Sequence, residues 1–98
     1  MSIKVIVELK AAPGRRDELK AVLRALLADL GPTLKEKGSL GGGVYEVVDD
    51  PDALVEIADW ATSAARDAFM SDPATAVAMA PVIELLAGPF KATVVQPT

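Results

Sequence analysis

Residues Val44 to Trp60 read VYEVVDDPDALVEIADW. Val44, Tyr45, Glu46, Val47 and Val48 are mostly β-branched or aromatic, and Leu54 to Trp60 is a second run of the same kind. Between them Asp49-Asp50-Pro51-Asp52 is a strong turn signal, since Asp side chains bond to nearby backbone and proline presets its own φ. The stretch therefore predicts two strands joined by a tight turn.

Upstream, Ile3, Val5, Val7 and Leu9 alternate with Lys4, Ile6, Glu8 and Lys10, which is the period of two of a half-buried strand. Pro13-Gly14 ends that strand, and Asp17 and Glu18 place negative charge in the first turn of a helix. Leu19, Val22, Leu23, Leu26, Leu27 and Leu30 then form one apolar helical stripe. Gly31-Pro32 is expected to interrupt this helix. A short turn from Thr33 to Lys37 follows and stops at Gly38. Gly41, Gly42 and Gly43 lack the context of a nucleotide loop and read as a flexible or closely packed lead into the second strand.

Downstream, Ser63 is expected to cap a helix from Ala64 to about Met70. Asp72-Pro73 starts another that carries Ala76, Val77, Ala80, Ile83 and Leu86, kinks at Pro81 and ends near Gly88. Phe90 to Val95 closes the chain as a strand. The order strand, helix, strand, strand, helix, strand is that of the α+β ferredoxin-like split βαβ motif. It implies one domain over residues 1–98, with a four-stranded antiparallel sheet and its helices on one face. The other face would leave Ile6, Val55 or Leu54, Val47 or Val48 and one side of Thr93 to Val95 wet. A second copy stacked on it would bury them, giving a homodimer.

Composition narrows the chemistry. The 98 residues include no cysteine and no histidine, and no asparagine stands anywhere in the sequence. Disulfides, thiolate catalysis, Ser-His catalysis and zinc sites built on Cys or His are all excluded. A net charge of -4 argues against nucleic acid as a partner. Met1 to Lys10 lacks the apolar core of a signal peptide, and no apolar run approaches the ~20 residues of a membrane helix. The expectation is a cytoplasmic protein with neither membrane nor nucleic-acid partner.

Several features together resemble the antibiotic biosynthesis monooxygenase family of dimeric α+β barrels. They are Pro13-Gly14 before the first helix, the approach from Gly38 to Tyr45, Asp50-Pro51-Asp52, and above all Trp60 followed by Ser63, Ala68 and Ser71-Asp72-Pro73. The resemblance spans nearly the whole chain. It implies a pocket in each subunit between sheet and helices, with the tryptophan on its wall. It also implies oxidation of polycyclic phenols by molecular oxygen with no metal or flavin, hence no cofactor. An electron-rich phenolate can itself supply electrons to oxygen, so such chemistry asks for a dry pocket and a stabilised anion rather than for a metal. Family members often carry histidine nine residues after the tryptophan, where this chain has Phe69. A haem-degrading branch needs that kind of histidine and a strand-one asparagine, whose position corresponds to Leu9; haem degradation is therefore disfavoured.

Each candidate residue has two explanations. Trp60 is a core anchor or a ligand wall. Glu56, four residues earlier on the same strand face, is a solvated rim residue or a pocket acid whose raised pKa suits it to take a phenolic proton. Tyr45 packs across strands or hydrogen-bonds a substrate oxygen. Leu9, Phe69, Met70 and Met79 are core or cavity lining, and Arg66 faces solvent or an anion. Trp60, Glu56 and Tyr45 are the expected catalytic set; Leu9, Phe69, Met70, Met79 and Arg66 the expected substrate-binding set. Three functions remain open: an oxygenase on a small aromatic molecule with O2, an isomerase or decarboxylase-like enzyme using Glu56 as proton shuttle, and a non-catalytic binding or structural dimer.

Overall fold

The computed structural model describes residues 2–98. In chain order the elements are β1 (Ile3–Lys10), α1 (Arg16–Glu36), β2 (Ser39–Glu46), β3 (Ala53–Trp60), α2 (Ser63–Ser71), α3 (Pro73–Ile83) and β4 (Lys91–Val95). All pairings are antiparallel and the sheet order is β2-β3-β1-β4, the α+β ferredoxin-like arrangement expected from the order of elements. The alternation in β1 sorts its side chains as the period of two requires: Ile3, Val5 and Leu9 are buried under the helices, whereas Lys4, Glu8 and Lys10 point away from them. The register sets Leu9 opposite Leu54 and Val7 opposite Glu56. Leu19 and Leu23 of α1 meet Leu9, Leu54, Val82 and Leu85 in the larger core cluster.

The features that punctuate the sequence prove to be tied together. Gly14 N–H donates to Asp52 Oδ1 at 3.0 Å and Ala11 N–H to the Asp52 carbonyl at 2.8 Å, so the Pro13-Gly14 loop and the Asp50-Pro51-Asp52 turn hold one another. Asp50 accepts from Asp52 N–H at 2.9 Å and from Lys10 Nζ at 3.1 Å, and these bonds hold its carboxyl below the usual range. Arg16 reaches from α1 to donate to the carbonyls of Val47 and Asp50 and pairs with Glu46 at 2.9 Å.

Four sequence expectations are corrected, and one open alternative is settled. Gly31-Pro32 does not interrupt α1, which runs through Pro32 to Glu36. Glycine removes the Cβ that makes a helical residue clash with a following proline, and Leu34 beyond it packs on the cluster of Ile3, Val5 and Trp60. The expected stop at Gly38 holds, at φ +106. The second strand lies earlier than expected: it takes in Gly41 to Gly43 and ends at Glu46, so Val47 and Val48 belong to the turn. A side chain at Gly42 would collide with the Ile57 carbonyl and the Ala58 Cα, which is the close strand packing that glycine allows. The cap of α2 is Thr62, accepting from Ala65 N–H, and not Ser63. Helix α3 opens at Asp72-Pro73 as expected but ends at Ile83 rather than near Gly88. Residues 85–87 instead bond along β1, through Ala12 N–H to Leu85 O and Ala87 N–H to Lys10 O. Finally, Leu54 is wholly buried beneath the helices, so of the two alternatives Val55 belongs to the uncovered face.

Candidate functional site

Between the sheet and the helices lies a cavity of about 780 Å³, of a size that takes a drug-sized ligand. Val5, Val7 and Leu9 of β1 and Glu56, Ala58 and Trp60 of β3 form its floor. The later part of the α1 stripe, Leu26, Leu27, Leu30 and Leu34, forms one wall; Arg66, Phe69 and Met70 of α2 and Met79, Val82 and Ile83 of α3 form another. Gly41, Gly42 and Gly43 of β2 lie along the edge of the cavity. Leu40 at 63% exposed and Ile83 at 44% leave the surround of the cavity apolar.

Trp60 is buried and packs against Phe69, with ring centroids 5.5 Å apart and planes tilted by 39°. Leu34 and Ala65 close on the same pair. Trp60 is thus both anchor and wall, and the two explanations that the sequence left open are compatible.

Glu56 faces the same side of β3 as Trp60, between Val7 on one neighbouring strand and Val44 on the other. Burial raises its pKa, and no cation among the described residues counters the cost of removing a carboxylate from water. No side-chain nitrogen or oxygen among the described residues is both fully buried and unbonded, so the Glu56 oxygens reach the open volume of the cavity. The arrangement is a carboxyl that is a stronger base than an exposed glutamate, set in apolar surroundings with room beside it. Chemically it suits taking a proton from a weakly acidic ligand and giving it back.

Of the eight residues predicted from sequence, the fold brings Trp60, Glu56, Leu9, Phe69, Met70, Met79 and Arg66 to this cavity. Tyr45 is not among them, and its assignment to the catalytic set is corrected. It pairs with Val55, whose side chain points to the uncovered face, and lies 56% exposed there with its hydroxyl close to Gly43. A one-residue offset in a strand sends a side chain to the opposite face. The sequence reading missed Lys35, Ser39 and the role of the later α1 leucines. A period of 3.6 identifies the inward face of a helix but not whether that face meets another side chain or a void.

The uncovered face has an apolar centre between charged flanks. Ile6 lies opposite Ile57 on one side and Thr93 on the other. Lys4 pairs with Asp59 at 2.8 Å and Lys91 with Glu8 at 3.8 Å. Among the described residues no group of His, Cys, Asp or Glu could hold a metal ion, and no helix is long and apolar enough to cross a membrane.

Comparison with known proteins places this geometry. The family model described as antibiotic biosynthesis monooxygenase matches residues 2–81. No curated protein matches the chain by sequence. Among solved structures, Rv0793 from Mycobacterium tuberculosis is 30% identical, with a TM-score of 0.79, all of this chain and 96% of that one being covered. A protein of Chloroflexus aurantiacus J-10-fl solved under the same family name is 26% identical, with a TM-score of 0.72 and coverage of 100% and 96%. SnoaB from Streptomyces nogalater, described as a cofactor-independent oxygenase and solved as a point mutant, is 14% identical. It has a TM-score of 0.80 with coverage of 98% and 92%, a likeness of fold.

Proposed function

The chain belongs to the antibiotic biosynthesis monooxygenase family, and from that premise we propose that it oxidises an aromatic phenol-type small molecule with molecular oxygen and without a cofactor. The observation that carries this proposal is Glu56, a half-buried carboxyl with no cationic partner among the described residues, placed in a large apolar cavity on the same strand face as Trp60. SnoaB, which shares the fold, is described as performing oxygenation of the cofactor-independent kind.

In the proposed sequence the Glu56 carboxylate takes the phenolic proton. The phenolate, poorly solvated in the apolar cavity, gives one electron to O2, and the resulting superoxide and phenoxyl radical recombine at the ring carbon para to the oxygen. A C–O bond forms, and Glu56 returns its proton to the peroxide. Loss of the proton on that carbon then forms the new carbonyl as the O–O bond breaks. The released hydroxide leaves as water with a proton passed through Glu56. One phenol and one O2 give one quinone and one water, with both electron pairs coming from the substrate. The wall of Trp60 and Phe69 offers a face for the ring system to lie against.

The protein works as a homodimer in this proposal, two copies covering the Ile6, Val55 and Ile57 faces of their sheets by a symmetric contact. Changing Ile57 to Asp places an unpaired charge in that contact. Light scattering at micromolar concentration should report a dimer for the wild-type chain and a monomer for Ile57→Asp; a monomeric wild type would refute the assembly.

Oxygen uptake tests the chemistry. An oxygen electrode charged with a hydroxyanthrone, whose enol form is a phenol, should record one O2 consumed per quinone formed, without added metal or flavin. Proton exchange at a substrate carbon without oxygen uptake would overturn the oxygenase in favour of an isomerase using Glu56. Ligands that raise the melting temperature with neither uptake nor exchange would indicate a binding dimer.

A further inference from the structure

The charges around the cavity are arranged unequally along its length. Arg66, on α2, has a side chain only 18% exposed, yet its one carboxylate neighbour among the described residues is the adjacent Asp67, at 3.9 Å and itself 67% exposed. Lys35 also borders the cavity from the last turn of α1, exposed and in no ion pair among the described residues. The two cations lie at the same end. Leu34, next to Lys35, and Ala65, next to Arg66, belong to one cluster with Trp60 and Phe69, and a side chain at Gly38 would meet the Ala65 Cβ at 3.1 Å. Glu56 stands four residues back along β3 from Trp60, roughly 13 Å at the rise of an extended strand. The cavity is therefore apolar along its middle, with an acid toward one end and, at the other, two cations of which Lys35 has no ion pair among the described residues and Arg66 only the long contact to exposed Asp67.

A half-buried guanidinium facing an apolar volume has given up part of its hydration without gaining an internal partner, a state that a bound anion would relieve. We infer that the substrate carries a carboxylate at the end of its aromatic body remote from the reacting hydroxyl, and that Arg66, with Lys35 beside it, holds that group. This deepens the oxygenase proposal and rests on its placement of the reacting hydroxyl at Glu56. Such a contact fixes which end of a flat ligand enters first, a choice that an apolar wall alone does not make. It supplies orientation, so Arg66 and Lys35 act here as binding residues and take no part in the proton transfers.

The test uses two product-like quinones of matched shape, anthraquinone-2-carboxylate and anthraquinone-2-carboxamide, titrated against the fluorescence of Trp60, the single tryptophan. The carboxylate should bind the wild-type protein at least tenfold more tightly than the amide, with the preference shrinking as salt is raised. In a variant carrying Arg66→Gln and Lys35→Gln the two ligands should bind alike, while the affinity for the amide stays within about twofold of wild type, which also reports that the cavity is intact. Arg66→Lys, which keeps the charge, should retain most of the preference. Equal affinities in the wild type, a preference that survives the double change, or no binding of either quinone at millimolar concentration would each overturn the inference. Carboxylate preference without oxygen uptake on any phenol would sink the oxygenase and leave standing only the anion-holding role of Arg66 and Lys35; oxygen uptake with no preference would overturn that role and leave the oxygenase standing.

Discussion

At one end of the helix-covered face Leu19, Leu54 and Val82 are almost fully buried and close on Leu9, Leu23 and Leu85. At the other end the small cluster of Ile3, Val5 and Trp60 is bordered by residues that remain half-exposed, and between the two clusters the chain leaves about 780 Å³ unfilled. Both regions draw on the same helix and the same strands. Leu19 of α1 only fills space, Leu23 and the half-buried Leu26 and Leu27 pack on the larger cluster and also border the cavity, and Leu30 and Leu34, at the far end of that apolar stripe, border the cavity away from that cluster. The difference lies in what faces each part. The packed part is closed by the bulky side chains of β3 and α3, whereas the cavity is bordered along one edge by Gly41, Gly42 and Gly43 of β2, so the packed end carries more of the stability than the hollow one.

The largest test of this division is Leu54→Ala. Its side chain is fully buried in the packed end, and the truncation should cost about 2–5 kcal/mol in urea denaturation, with the turnover of the molecules that remain folded unchanged. A loss of turnover without loss of stability would break the division. Next, Glu56→Gln keeps volume in the hollow end and removes the proton carrier. Turnover should fall on the order of a hundredfold, about 2.7 kcal/mol at the barrier, with affinity little changed. Trp60→Phe shrinks the ring that spans both roles. The expected loss of stability is about 1 kcal/mol, smaller than for Leu54→Ala, together with a several-fold weakening of aromatic ligand binding seen by titration calorimetry. A stability loss equal to that of Leu54→Ala would mean that Trp60 belongs to the packed region alone.

The smallest effect is the pH dependence that Glu56 gives to folding. Its pKa is raised by burial above the ordinary 4.5, so the folded chain holds this proton more tightly than the unfolded one. Its contribution is fully present below the unfolded value and is lost as pH rises through the folded value. Wild type should therefore lose ground to Glu56→Gln as pH climbs above 4.5 and should hold a constant difference once Glu56 is ionised in both states. Paired melting curves across that range check the sign.

The alternation in Ile3 to Leu9 and the hairpin of residues 44–60 carried enough information for the topology, because sheet faces and turns are written in neighbouring residues. Glu56 and Trp60 could be placed together for the same reason: even spacing on a strand means one face. Tyr45 could not be placed by that logic, since its pairing with Val55 is set by how many residues the turn between β2 and β3 takes up, and the sequence pattern put Val47 and Val48 in the strand rather than in that turn. The passage of α1 through Pro32 depends on what Leu34 meets at Trp60, a contact made only in the folded chain. Lys35 and Arg66 read as ordinary charged helix residues; their shared end of the cavity follows from how α1 and α2 pack.

The sheet order also dictates when the cavity comes into being. The β2–β3 hairpin joins residues as near as Glu46 and Leu54, whereas β1 and β4 pair Glu8 with Lys91 across almost the whole chain. From loop length alone the second closure is costlier by about 2 kcal/mol, so the hairpin is favoured to form early and the β1–β4 ladder late. β1 supplies Val5, Val7 and Leu9 to the cavity floor and lies between β3 and β4. A hairpin assembled without it has no enclosed volume to offer a ligand. Binding should therefore leave the folding rate nearly untouched and slow unfolding instead, so that a ligand acts as a kinetic lock on the finished molecule.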